Sequence, residues 1–217
     1  MSPAQPRHQV PDARSWEYAD GFVAPSPAMQ EAREAARADH WEVLGNGTTA
    51  LLTFLARVIR ANNVVSVGTD AGVSALAMLE GMTDRGVLTS VDPDAERQAA
   101  ARRVLSLARV RSNRVRLITG TPLDVLPKLR DDAYDMVLIN GDRLEYVEYL
   151  SQALRLLRQG GIVIVNAALA NNHVADPDNE DDDTLIIRET LDSVLETEEF
   201  TPVLLPVGEG LLLAAKA

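Results

Sequence analysis

From Val64 to Asn166 the chain alternates short apolar runs with longer amphipathic segments, and that alternation leaves few folds open. The apolar runs are "VVSVG", "VLTSVD", "RVRLIT", "YDMVLI" and "GIVIVN", each of strand length and too short for a core helix. The segments between them are "VSALAMLEGM", "DAERQAAARRVLSLARV", "LDVLPKL" and "LEYVEYLSQALRLLRQG". In the last, Val147, Leu150, Leu154 and Leu157 are spaced to form one buried stripe, with Gly160 or Gly161 as its stop. Strand–helix alternation predicts an α/β fold: a parallel sheet with helices on both faces. After a further helix, with Ile187, Leu191, Val194 and Leu195 as its apolar face, the chain ends in "FTPVLLPVGEGLLLAAKA". Two apolar runs joined by Gly-Glu-Gly predict a hairpin, and so antiparallel character at one sheet edge.

Ahead of the alternation lie two helical patterns. Ser26 suits an N-cap and Pro27 the first helical position, before "AMQEAREAARADHWEVL". In "TTALLTFLARVIRANN", Leu51, Leu55 and Ile59 share a face that Leu52 and Val58 widen. Residues 1–25 read as a mobile tail without the apolar stretch of a secretory signal. Residues 26–217 read as one domain, with N-terminal helices over 26–62 and the α/β core over 63–217. Those helices are expected to pack on the sheet or against a second subunit, in a homodimer.

Composition narrows the partners. A net charge of −11 argues against nucleic acid or an anionic membrane, and no apolar run has the ~20 residues needed to span a bilayer. The chain has no cysteine, which excludes disulfides, thiolate zinc sites and a Cys nucleophile, and fits a cytoplasmic location. "DPDNEDDD" puts six acids in eight residues but lacks the glycine that a calcium loop needs, so it reads as a solvated loop.

The chemistry concentrates at the carboxyl ends of the predicted strands. "VGTDAGVSALAM" is a strand, a glycine turn and a helix start, where Gly68 and Gly72 permit tight turning near a ligand. A dinucleotide fingerprint needs glycine at the third position of its motif, and Asp70 stands there. A carboxylate beside a pyrophosphate is repelled, which weighs against a nicotinamide oxidoreductase. Asp92 ends the second strand, placed to accept both hydroxyls of a ribose or, alternatively, to cap the next helix. A glycine turn with such an acid favours an adenosine ligand that carries a carboxylate in place of phosphates, as S-adenosylmethionine (SAM) does.

Together with "SVDPDAERQAAARRVL", "GTPLDVLPKL", "YDMVLINGDRLEYVEYL" and "GGIVIVNAALANNHVADP", these stretches resemble the class I methyltransferases. They are most similar to the small O-methyltransferases related to the caffeoyl-CoA and catechol enzymes, as found in actinobacteria, over about residues 42–217. The resemblance implies a Rossmann-like, seven-stranded sheet in order 3-2-1-4-5-7-6 with strand 7 antiparallel. It implies that Gly68 and Thr69 lie under the methionine part of SAM, that Ser74 bonds the cofactor carboxylate, and that Leu44 touches the cofactor. Asp92 would hold the ribose, with Pro93 beside the adenine, Thr121 and Pro122 at the adenine edge, and Asp142 facing the amino group. Ser66 and Gly72 complete the expected cofactor set.

Six positions depart from the family pattern. Ser66 replaces an acid, and Pro122 has no N–H to give to adenine. The family's metal ligands are an Asp at position 140 and Asp-Asn at 166–167; here stand Asn140, Asn166 and Ala167. Arg143 replaces a lysine and stays protonated. Hard divalent cations want charged oxygen ligands, so no metal is expected, and Asn140 and Asn166 become candidate substrate contacts. His173 and Asp142 are the candidate catalytic residues, with the loop from Asn166 to Pro177 expected as a mobile lid. The function expected is methylation of a small acceptor at oxygen without metal; the alternative is a SAM-binding protein with little or no catalysis.

Overall fold

The computed structural model describes residues 10–217. Seven strands form one sheet: β1 (Asn63–Val67), β2 (Val87–Asp92), β3 (Val115–Thr119), β4 (Tyr134–Ile139), β5 (Leu157–Asn166), β6 (Phe200–Leu205) and β7 (Leu211–Lys216). Their order is β3-β2-β1-β4-β5-β7-β6. The first five pair in parallel, and β7 runs antiparallel to both β5 and β6. This is the expected topology.

The central strands are apolar on both sides because helices cover both sides. Successive residues on a strand point to opposite faces. Accordingly, Val64, Met136 and Leu138 join one core, with Leu52, Leu76 and Met78 from the helices. Val65, Val67, Val137 and Ile139 join the other, with Tyr146, Tyr149 and Leu150. The first face carries α2 (Pro27–Ala38), α3 (Asn46–Val58), α4 (Val73–Gly81) and α5 (Ala95–Leu107); the second carries the short α6 (Pro122–Val125), α7 (Tyr146–Leu156) and α8 (Asp182–Glu196). α2 starts as its sequence asks: Ser26 Oγ accepts the Met29 N–H at 3.1 Å, with Pro27 in the first turn.

Four details differ from the sequence reading. Within the stretch read as a tail, residues 13–20 form helix α1 (Ala13–Asp20), capped by Asp12, whose Oδ1 accepts the Ser15 N–H at 2.9 Å; the tail's residues 1–9 lie outside the described residues. α7 ends at Leu156, ahead of Gly160 and Gly161, and Leu157 already pairs with Tyr134 in β5. The two glycines instead serve the irregular register between Leu157 and Ile162, Gly160 with a φ of +71°. On α3 the fully buried apolar positions are Leu52 and Ala56, whereas Val58 is 60% exposed. On α8 Leu195 is 72% exposed, because the helix meets the sheet through Ile187 and Val194.

Candidate functional site

The sheet order reverses between β1 and β4, and a crevice opens where their following loops diverge. Gly68 ends β1 with a φ of +85° and donates its N–H to Val91 O at 2.9 Å. A Cβ at this position would lie 2.1 Å from Asn140 O, so only glycine lets the two loops approach this closely. Gly72 has a φ of +96° and packs its bare Cα against Ala101, bringing α4 onto α5.

Asp92 is buried at the end of β2 and uses both oxygens to tie loops together. Oδ2 accepts the Thr69 N–H at 2.8 Å and Oδ1 accepts the Asp94 N–H at 2.8 Å. Capping of α5 falls to Asp94, whose Oδ1 accepts the N–H groups of Glu96 and Arg97. Asp92 thus retains lone pairs toward a cavity of about 460 Å³. Gly68, Pro93, Thr121, Pro122 and Asp142 line the same cavity. A second cavity of about 430 Å³ is lined by Leu44, Asp70, Asn166 and Ala167 among others. Arg97, Asn140 and Gly141 line both, so the two spaces meet at the crevice between β1 and β4.

Ser66, Thr69 and Ser74 fall behind the walls, and His173 outside them. Ser66 is fully buried and donates its hydroxyl to Gly68 O at 2.9 Å, bracing the turn from below. Thr69 is also fully buried, its Oγ1 3.0 Å from Ser90 Oγ. Ser74 is fully buried, and its Oγ has no hydrogen-bond partner among the described residues. Asp142 accepts the Leu144 N–H at 3.1 Å and so caps the turn that follows β4. His173 lines neither cavity; its ring is half exposed and Nδ1 stands 3.8 Å from Asp181. Tyr146 and Tyr149 are buried, and that burial pushes both phenols well above their ordinary range. The Tyr149 hydroxyl donates to Glu145.

At the positions where the resemblance implies metal ligands, the side chains satisfy each other. Asn166 donates its amide to Asn140 Oδ1 at 2.8 Å, and Ala167 adds a methyl on a φ of +56°. Two carboxylates at this distance would need a cation or a shared proton between them; two amides need neither. The donor set is neutral and does not fit a hard divalent cation. Arg143 bridges Asp183 and Glu209, each at 3.3 Å, tying the loop after β4 to α8 and to the terminal hairpin.

Two site features escape a reading of the sequence. Arg97, in the first turn of α5, reaches both cavities, and its only signal was its place just behind the Asp94 cap. Asp70 accepts the Leu44 N–H at 3.3 Å through Oδ1 and the Ser74 N–H at 3.0 Å through Oδ2. Its identity was legible as a bar to pyrophosphate, but its partners were not.

Similarity to known proteins agrees with this geometry. The profile of a family described as O-methyltransferase matches residues 22–217. A Mycobacterium tuberculosis protein described as a probable O-methyltransferase is 36% identical over 201 residues, covering 93% of this chain and 90% of the relative. A Mycolicibacterium smegmatis relative, likewise described as an O-methyltransferase, is 39% identical over 192 residues, covering 86% of this chain and 91% of its own. Among solved structures, a Corynebacterium glutamicum protein superposes with a TM-score of 0.86 at 29% identity, over 92% of this chain and 94% of that one. TomG from Streptomyces achromogenes, an O-methyltransferase of tomaymycin synthesis solved with SAM, shares the fold with a TM-score of 0.85 at 23% identity, over 96% and 100% of the two chains. With the family profile spanning the whole sheet and relatives above 30% identity spanning most of the sequence, the chain belongs to the O-methyltransferase family.

Proposed function

We propose that this chain transfers the methyl group of SAM to a hydroxyl of a small acceptor, without the divalent metal that the family resemblance implies. The observation that carries the reading is the joining of the two cavities at Asn140 and Gly141. The Asp92 side suits a ribose and its base, the Leu44–Asp70 side suits the amino-acid part, and the acceptor enters near Asn140 and Asn166. TomG, which shares the fold, was solved with SAM. In the transfer, the bond from sulfur to methyl breaks as the bond from oxygen to methyl forms. The thioether leaves neutral, and the hydroxyl proton passes to a base or to water. Holding the acceptor for in-line approach contributes to rate through positioning. Asp142 borders the first cavity, whereas His173 lines neither cavity, so Asp142 is the better placed of the two candidate bases.

A second reading, SAM binding with little or no transfer, draws on the Asn140–Asn166 pair, which offers no charge to acidify a hydroxyl. Calorimetric titration with SAM and S-adenosylhomocysteine, with and without EDTA, tests the cofactor and the metal together. Binding that is unchanged by EDTA is expected; loss of binding or turnover on chelation would overturn metal independence. A screen of phenols, catechols and hydroxamates then separates the two readings, because methylated product is expected only from the first.

A homodimer in the cytoplasm completes the proposal. Exposed Phe22 and Val23 beyond α1 and Phe54 and Val58 on α3 support an apolar contact face. Among the described residues no helix is long and apolar enough to cross a membrane.

A further inference from the structure

Asp70 sits where an incoming anion would be held. Its two carboxylate oxygens take the main-chain N–H groups of Leu44 and Ser74, at 3.3 and 3.0 Å. The Ser74 N–H belongs to the first turn of α4, where free N–H groups and the helix dipole favour negative charge. The backbone bends unusually to bring it there. Asp70 and Ala71 both lie in the left-handed region, with φ of +48° and +49°, ahead of Gly72. Such a run is uncommon for residues with a Cβ and persists only where the surroundings hold it.

The surroundings add positive charge without neutralising the carboxylate. Arg33 from α2 and Arg97 from α5 both favour its ionised form. Arg33, nearly buried, gives one N–H to Thr49 Oγ1 at 3.0 Å, and its Nε has no partner among the described residues. Glu42, Arg143 and Glu209 are the other charged groups lining this cavity, and Arg143 is already engaged by Glu209 and Asp183. Burial nonetheless dominates and pushes the Asp70 carboxyl up to about 7, against its two N–H donors and both arginines.

We infer that Asp70 is a built-in occupant of the subsite for the cofactor's carboxylate, so that binding of a carboxylate-bearing adenosine ligand is coupled to uptake of one proton. The inference rests on the SAM reading above, in which the Leu44–Asp70 side takes the amino-acid end. Two carboxylates cannot both be ionised at one pair of N–H donors in a buried site. Either the ligand takes the two donors and Asp70 retires as a neutral acid, or a protonated Asp70 stays and donates its proton to the ligand. Both routes bind one proton, and both make the affinity for the charged cofactor fall as pH rises above neutrality.

Calorimetry over pH 6 to 9, in buffers of different ionisation enthalpy, tests this with SAM and decarboxylated SAM. The two ligands share adenosine, sulfonium and amine and differ only in the carboxylate. For SAM we expect proton uptake approaching one above pH 7 and an affinity that falls by up to about tenfold per pH unit there. Decarboxylated SAM is expected to show neither. Asp70→Asn suits the left-handed backbone, and Asp70→Gly relieves it while deleting the carboxyl. Either folded variant should bind SAM at least tenfold more tightly than wild type at pH 8, without the proton uptake. Equal pH slopes for the two ligands, or variants that bind SAM no tighter with uptake unchanged, would overturn the inference and leave the cofactor reading standing. Failure of both ligands to bind at any pH would overturn the cofactor reading, and the inference with it.

Discussion

At the residue scale, the site is built from side chains that hold loops first and face the cavity second. Asp92 fastens the loop after β1 to the loop after β2 through two 2.8 Å bonds and still borders the space proposed for ribose. Asp92→Ala is therefore expected to weaken SAM binding by ~1–3 kcal/mol, the worth of a lost charged hydrogen bond, and to lower the unfolding midpoint as well. Calorimetry on the folded variant checks the first part; unchanged affinity would restrict Asp92 to tying the loops. Asp70 carries a separate prediction about stability. Burial raises its folded-state pKa to about 7, above the ordinary 3.8, so the folded protein holds this proton more tightly than the unfolded chain does. That contribution is fully present below about pH 4 and is lost as pH rises through about 7. Denaturant unfolding of wild type and Asp70→Asn across this window should show the difference shifting in favour of the variant with rising pH. A constant difference would mean that Asp70 does not titrate there.

At the scale of elements, the loop after β5 is more strongly held than its acidic composition suggests. The Arg188 guanidinium, from α8, donates to the carbonyls of Val174 at 3.2 Å, Asn179 at 2.8 Å and His173 at 3.1 Å, and also to Asp176. One side chain thus gathers four carbonyls that would otherwise face water, in a stretch expected to be a free lid. Arg188→Ala should release them, raising amide exchange and proteolytic nicking between residues 173 and 181 while the sheet keeps its protection. Exchange in that loop matching wild type would show that its own turns suffice. The expectation of Leu195 on the buried face of α8 failed for a related reason. The helix keeps Ile187, Thr190 and Val194 buried, and Leu195, one residue past Val194, is turned about 100° away from it toward solvent.

For the whole molecule, both faces of the sheet are covered, and part of the apolar surface left over lies on the N-terminal helices. Phe54 and Val58, 61% and 60% exposed, are a helical turn apart on α3, and α1 packs nearby with Trp16 partly exposed. Burying such side chains is worth about 1.5–3 kcal/mol each, enough to drive association when several act together. Phe54→Glu with Val58→Glu should shift the protein toward monomer in sedimentation analysis without changing its circular dichroism. A wild type that sediments as a monomer, or a double variant that stays dimeric, would count against this face.

The sequence by itself determined the layer order, the strands and the terminal hairpin, because strand alternation, helix periodicity and glycine turns are local and each repeats its message several times. Buried strands such as "YDMVLI" have no polar face to show, and that alone requires cover on both sides. It also determined the chemical character of the crevice: Gly68, Asp92, Asn140 and Asn166 were legible because each is a residue type out of place for mere packing at a strand end. Only the tertiary structure decided who meets whom. Asn140 and Asn166 are 26 positions apart and join through a 2.8 Å amide bond; Leu44 and Asp70 are likewise 26 apart; His173, seven positions after Asn166, lines neither cavity and stands 3.8 Å from Asp181. Nothing local fixes such pairings. They follow from β1, β4 and β5 lying side by side in the sheet and from the left-handed bends at Asp70 and Ala167 that aim the loops.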